Sequence, residues 1–360
     1  MTKLLSFLSW MSVLALWACA ACIYINPALY GKYFAVLGLC FPLCATAVVG
    51  MGVICILFKP KMVWISVVGL LCAAGSIRDY VPINLTSPPP KQVWKVMTYN
   101  TMNYGAWKKD DNNRDFQVVR YIASQSPDIA CLQETLYATK DNRQCVESSM
   151  KRYGYHLEQV KVGTGALALA SRFPIVRTQR ICHSAGNGAA AFFVVPQRGD
   201  TVIVICVHLE SMHLSDGERS TYHELVRNPE KADNVHGKLS IVRKIANGGI
   251  ERALQADTVG HFIDSLAGKP LILMGDFNDT PISYAHHQIC SRLTDAYRAT
   301  GNGIGRSFNR DAIYVRIDHA FCSSHFKPFA FKIDNTVPFS DHYPMIGYIK
   351  WVRNNPLSHR

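Results

Sequence analysis

Leu271 to Pro281 reads LILMGDFNDTP, and the interpretation of this stretch decides that of the chain. Leu271 to Met274 are all apolar, with the length and bounding of a buried strand. Gly275 ends the run, and Asp276 and Asn278 follow two positions apart. In an extended chain, residues i and i+2 point the same way, so both polar heads would sit together where the core stops. Pro281 blocks continuation of the strand. An Asx-rich turn is the plainer explanation of the same residues. The choice depends on whether other strands end in the same way.

They do. Val93 to Tyr99 is a β-rich run ending at Asn100, and Ile129 to Gln133 ends at Glu134. Leu167 to Ser171 runs up to Arg172. Ala190 to Val195 and Thr201 to Val207 form a hairpin pattern around Gln197-Arg198-Gly199-Asp200, and its second strand ends at His208. Val315 to Cys322 carries Asp318, and Met345 to Val352 follows Ser340-Asp341-His342. Helical spacing is confined to a few places, such as Phe116, Val119 and Ile122 within 111–125, closed by Ser126-Pro127. The pattern predicts an α/β (α+β) fold, a two-sheet β-sandwich flanked by helices over 93–353. Polar strand ends would then collect on one rim of a rigid scaffold.

Residues 212–260 hold seven basic and seven acidic side chains, which excludes a basic patch. A helical stripe at Leu239, Val242 and Ile245 resumes after Gly248-Gly249 at Ala253, Leu254, Phe262, Ile263 and Leu266. This reads as a solvated helical excursion, with a lid over the rim as the functional alternative.

The N-terminal quarter is different in kind. The 360-residue chain is 49% hydrophobic, and the excess is concentrated before residue 80. Leu4 to Ile25 and Tyr33 to Phe58 have spanning length and little or no charge, and Met62 to Gly75 is a shorter third run. A signal peptide would explain the first run only. The expectation is an integral membrane protein with three transmembrane helices in residues 1–80, then a stiff Pro-rich linker over 81–92. Lys3, Lys59 and Lys61 fall on one side, Lys32 and Arg78 on the other. That bias favours a cytoplasmic N-terminus and a non-cytoplasmic domain, an answer that inverts if the third run does not span. The formal charge of +12 suits anionic substrates or surfaces, and equally plain solubility. Cys131, Cys206 and Cys322 lie in strand-like runs, whereas Cys145, Cys182 and Cys290 are placed to pair if exported.

Asn100, Glu134, His208, Asp276, Asn278, Asp318, Asp341 and His342 make an oxygen-rich constellation. Its crowded carboxylates would not all ionise without a positive charge among them. A hard divalent cation such as Mg2+, with Mn2+ as a substitute, answers that need. Metal-assisted attack of water on a phosphate ester is the corresponding chemistry. His213, His223, His236 and His319 are expected to be surface or core histidines.

The ordered stretches TYNTMNYG (98–105), DIACLQET (128–135), GALALASRFPI (165–175), VIVICVHLES (202–211), GDFNDTP (275–281), RIDHAFC (316–322) and SDHYPM (340–345) resemble the endonuclease/exonuclease/phosphatase superfamily. That resemblance implies a metal-dependent phosphoesterase. It implies Glu134 as the main metal carboxylate, with Asn100 beside it and Asp341 helping directly or through water. Asp276 would orient the attacking water, and Asn278 would bind a phosphoryl oxygen. Asp318 and His342 would form a carboxylate–imidazole pair, with His208 near the leaving group. Arg172 is a candidate substrate-binding residue. The family's apurinic endonucleases carry a second carboxylate where this chain has Met102, which argues against DNA repair. Three readings stand: a membrane-anchored, Mg2+-dependent phosphoesterase, for which lipid-headgroup phosphodiesters rank at least level with nucleic acid, a nuclease, and a non-catalytic scaffold of the same fold. No protein partner is implied.

Overall fold

In chain order the strands are β1 (Trp94–Asn100), β2 (Ile129–Gln133), β3 (His156–Val162), β4 (Gly165–Ser171), β5 (Ile175–His183) and β6 (Gly188–Val194). Then come β7 (Val202–His208), β8 (Leu271–Asp276), β9 (Thr294–Asp295), β10 (Asp318–Cys322), β11 (Phe326–Ile333) and β12 (Met345–Trp351). The computed structural model describes residues 2–106, 115–196, 200–212, 235–310 and 314–352. The hairpin turn at 197–199, the helical stretch before Asp115, most of the excursion after Met212, and His213 and His223 lie outside them, as does the side chain of His236.

The strands make two six-stranded sheets, ordered β11-β12-β1-β2-β4-β3 and β5-β6-β7-β8-β10-β9. Period-two alternation divides each strand between two environments. Ile272 and Met274 of β8 face the inter-sheet core with Val204, Cys206, Cys131 and Val96. Leu271 and Leu273 instead pack outward, among Ala256, Val259 and Ile289 of the covering helices. The first sheet is covered in the same way by α5 (Gln117–Gln125) and α6 (Lys140–Arg152). α7 (Val235–Ser265) and α8 (Tyr284–Cys290) cover the second. The expected sandwich flanked by helices is what forms.

Gly275 has no room for a side chain. A Cβ there would lie 1.9 Å from the Val207 carbonyl oxygen, backbone against backbone. Gly275→Ala is expected to destabilise the fold by about 1–3 kcal/mol, the usual cost of forced overpacking, read as a lowered Tm. An unchanged Tm would show that β7 and β8 can part freely.

The N-terminal residues fold as α1 (Thr2–Ala21), α2 (Phe41–Phe58), α3 (Val63–Cys72) and α4 (Ala74–Tyr80). Two stretches, Thr2–Tyr24 and Phe34–Phe58, are long and apolar enough to cross a membrane. The third predicted span is a broken one: α3 and α4 meet at 62° around Ala73. A short apolar run that includes Gly69 and Gly75 lacks the length and the rigidity of a straight helix. Ser9 lies 3.6 Å from Cys55 and Cys19 lies 3.7 Å from Cys44, so α1 and α2 run antiparallel. Trp10 packs on Trp64, and Trp17 donates to the Gly69 carbonyl, so α3 runs back along α1. Lys3, Lys59 and Lys61 therefore sit at one end of this unit.

The catalytic sandwich sits at the other end. Asn26 donates to Asp257 at 2.9 Å, the Arg316 guanidinium binds the Asp79 and Tyr80 carbonyls, and Ile282 packs in the core of the helical unit. The segment expected as a free linker is partly docked. Asn84 Nδ2 donates to the carbonyls of Arg298 and Gly301, and Gly303 N donates to Pro82. None of the twelve cysteines, Cys145, Cys182 and Cys290 among them, forms a disulfide.

Candidate active site

Each sheet has one parallel pair at its centre, β1 with β2 and β7 with β8. Parallel neighbours end at the same edge, so four strand ends converge on one rim. Register decides where their side chains point. Asn100 continues the inward series Val96, Thr98, and Asp276 continues Ile272, Met274. His208 continues Val204, Cys206, and Asp318, directly opposite Asp276, leads Ala320 and Cys322. Asn100, His208, Asp276, Asp318 and His342 are all buried in the mouth of the sandwich.

Asp276 is the hub. Its Oδ2 accepts from Asn100 Nδ2 at 3.0 Å and lies 3.5 Å from both His208 Nε2 and His342 Nε2. Its Oδ1 accepts from the Asn278 backbone N–H at 2.8 Å. Asn100 Nδ2 also donates to Glu134 Oε1 at 3.0 Å, and Glu134 opens toward solvent. Asp318 Oδ2 takes His342 Nδ1 at 2.8 Å. Asn278 Nδ2 donates to the Leu209 carbonyl at 2.9 Å, which leaves its second amide proton for another acceptor.

Backbone geometry is spent on holding this arrangement. Glu134 and Asn278 have φ of 50° and 49°, and Met102, Asn103 and Tyr104 form a left-handed turn with φ of 46°, 51° and 57°. Such conformations cost about 1–3 kcal/mol each and persist only where neighbours impose them. Thr101 does so, its hydroxyl donating to the carbonyls of Gln133 and Glu134. Ser340 donates to the Asn100 carbonyl at 2.7 Å.

Burial works against a charged His342, but Asp318 and Asp276 outweigh it and raise its pKa to about 10. Burial first, then Asp276, raises the Asp318 carboxyl. Glu134, Asp276 and Asp318 thus crowd three carboxyl groups into one rim. Asp276, Asp318 and His342 bring ligand atoms within 4.8 Å of one another. This oxygen-rich donor set fits a hard divalent cation.

Residues 97–342 match the Endonuclease/Exonuclease/phosphatase family. The chain belongs to that family. It is accordingly a metal-dependent phosphoester hydrolase. Residues 2–80 match a domain of unknown function (DUF8431). No curated protein matches the chain. Among solved structures it is similar to the human Nocturnin catalytic domain with bound sulfate anion, at 17% identity and TM-score 0.51, covering 75% of this chain and 96% of that one. An endonuclease/exonuclease/phosphatase from Beutenbergia cavernae is similar at 16% identity and TM-score 0.50, covering 72% of each chain. At these identities the likeness establishes the fold.

Within this family fold, two of the expected site residues lie apart from the group. Arg172 follows β4, which runs antiparallel to β2, so it emerges at the opposite end of the sandwich. Its guanidinium stacks on Tyr155 and donates to the Tyr153 carbonyl. Asp341 turns to Arg310, 3.2 Å away, and not into the cluster. Sequence reasoning missed Arg252 and Asp279. The buried Arg252 donates to Asp279 Oδ2 at 2.9 Å and to the Glu210 carbonyl at 3.1 Å, tying together the loops that follow Asp276 and His208. The acid next to Asn278 in GDFND was the available signal.

Proposed function

We propose that this protein is a membrane-anchored, Mg2+-dependent phosphodiesterase whose rim works beside the bilayer, on lipid-headgroup phosphodiesters. The observation that carries this is the packing of the catalytic loop itself on the helical unit. Ile282, six residues after Asp276, sits in the core with Leu16, Cys22 and Phe41. A Cβ on Gly38 would meet the Ile282 carbonyl oxygen at 2.0 Å. Exposed Tyr24, Leu29, Tyr30 and Tyr33 ring the same end, the composition of a membrane–water interface. Substrate embedded there is at high effective concentration.

Glu134, with Asn100, Asp276 and Asp318 around it, would hold the cation. When bound, Mg2+ supplies positive charge to the phosphoryl oxygens and makes water more acidic. Asp276 orients the attacking water and accepts its proton. Asn278 donates its free amide proton to a phosphoryl oxygen, and His342, kept protonated by Asp318, donates a second hydrogen bond. His208, with Nε2 3.5 Å from Asp276 Oδ2, would give the leaving-group oxygen its proton. The sulfate on Nocturnin, a tetrahedral dianion on the same fold, supports a phosphoryl-sized site.

Initial rates on vesicles with phosphodiester headgroups, against DNA and RNA with and without EDTA, test the substrate class. EDTA-sensitive turnover favouring vesicles is expected, and faster hydrolysis of nucleic acid would overturn the lipid assignment. Glu134→Gln is expected to raise the Mg2+ concentration needed for half-maximal rate, and an unchanged requirement would remove Glu134 as a ligand.

Lys3, Lys59 and Lys61 at the end remote from the catalytic unit, against Lys32 and Arg78 at the near end, support an orientation with that unit outside the cytoplasm. Protease added to intact spheroplasts should remove it. Protection until the membrane is broken would reverse the orientation.

A further inference from the structure

On the outer face of the second sheet lies a cluster that the hydrolytic site does not use. His319 alternates with Asp318 along β10, so it points out of the sandwich, toward α8. There it meets His286, ring centroids 4.7 Å apart, and Asp295 at the end of β9. All three side chains are buried, and one ligand atom from each lies within 4.8 Å of the others. His286 Nε2 is 3.0 Å from Asp295 Oδ2. Asp295 Oδ1 is occupied by the Arg298 backbone N–H at 2.9 Å, so Oδ2 is the carboxylate oxygen left to face the two imidazoles.

His319 carries the decisive detail. Its Nε2 lies 3.0 Å from the Asp279 carbonyl oxygen, which can only accept, so Nε2 holds the proton and Nδ1 a lone pair. That Nδ1 is buried and has no hydrogen-bond partner. Burial opposes ionisation of Asp295, but His286 and Arg316 outweigh it and hold the carboxyl below its usual range. An imidazole oriented through its other N–H by a backbone carbonyl is the usual setting of a metal-ligating histidine.

We propose that His286, Asp295 and His319 form a second metal site, a structural one for a zinc-type ion. Two imidazoles and a carboxylate suit zinc better than magnesium. Ligands about 2.1 Å from a tetrahedral ion stand about 3.4 Å apart, so His286 and Asp295 need open only slightly. The three protein ligands leave the fourth tetrahedral position to a water, and burial of all three side chains bars substrate from that position, which argues for a structural role. The ion would tie α8, β9 and β10 together and, through the Asp279 carbonyl, brace the catalytic loop from behind. Arg316 opposes a cation there, while Asp79 and Asp279 favour one. A proton shared by His286 and Asp295 is the competing arrangement, but it leaves the His319 lone pair unpartnered.

The test is the metal content of the full chain, purified in detergent from zinc-supplemented cells and treated with enough EDTA to abolish turnover. Stoichiometric zinc is expected in the wild type and in Glu134→Gln, and its loss in His286→Gln and Asp295→Asn. Zinc-free wild type, or zinc retained in both cluster variants, would overturn the site. If those variants do not fold, cobalt-grown wild-type protein decides. A visible d–d band that survives Glu134→Gln is expected, and a colourless protein would overturn the proposal. Wild-type protein that holds zinc but turns over no phosphodiester even before EDTA treatment would count against the hydrolytic reading alone.

Discussion

Asp276→Asn, Asn278→Ala and His342→Ala are each expected to lower turnover by roughly a hundredfold or more, the scale of a lost transition-state contact. For Asp276 the reason is geometric. One oxygen accepts from Asn100 and faces two imidazoles at 3.5 Å, while the other accepts from Asn278. An asparagine must turn its NH2 toward one of these sets, so it either loses a hydrogen bond or opposes a donor with a donor. It also removes the carboxylate proposed to take up the proton of water. Asn278→Ala removes the free amide proton and the tie to Leu209, and His342→Ala strands Asp318 without its counter-charge. Rates on a chromogenic phosphodiester at saturating Mg2+, with circular dichroism as a check on folding, measure all three. Wild-type rates in all three would remove the mechanism.

The central strands could be read from sequence because both of their faces are buried, giving short apolar runs such as VIVIC and LILM. The strands that were missed are the sheet edges: β3 and β11 in the first sheet, β5 and β9 in the second. Edge strands face water on one side and carry charge, as in HLEQVKV and IVRTQRICH, so their pattern fades into that of loops. The gathering of Asn100, His208 and Asp276 on one rim was legible for the same reason as the core, since each closes an apolar run. Arg172 shows where that logic breaks. A polar residue after a strand marks a rim, but only the direction of the strand tells which rim. The docked linker was hidden because it depends on contacts with residues more than 200 positions away.

The inner support of the site is expected to be as sensitive as the site itself. Arg252→Ala should destabilise the protein by about 3–5 kcal/mol, the cost of removing one partner of a buried ion pair. Arg252 and Asp279 are both buried, at 2.9 Å, and no other guanidinium among the described residues hydrogen-bonds Asp279. Burial already pushes the Asp279 carboxyl above its ordinary value, with Arg252 as the main opposing influence. Without Arg252 that carboxyl rises further. A folded-state pKa above the unfolded one costs stability as pH rises from the unfolded value, near about 3.9, through the folded one. The deficit should therefore be small in acid and full at neutral pH. Turnover should fall with it, because the same guanidinium holds the Glu210 carbonyl two residues from His208. Arg252→Lys keeps the charge but not the fork that reaches both loops, so it should recover more stability than turnover. Thermal unfolding from acidic to neutral pH, paired with kcat, separates these effects. An Arg252→Ala protein that melts and turns over like the wild type would show that the two catalytic loops hold their places without the helix between them.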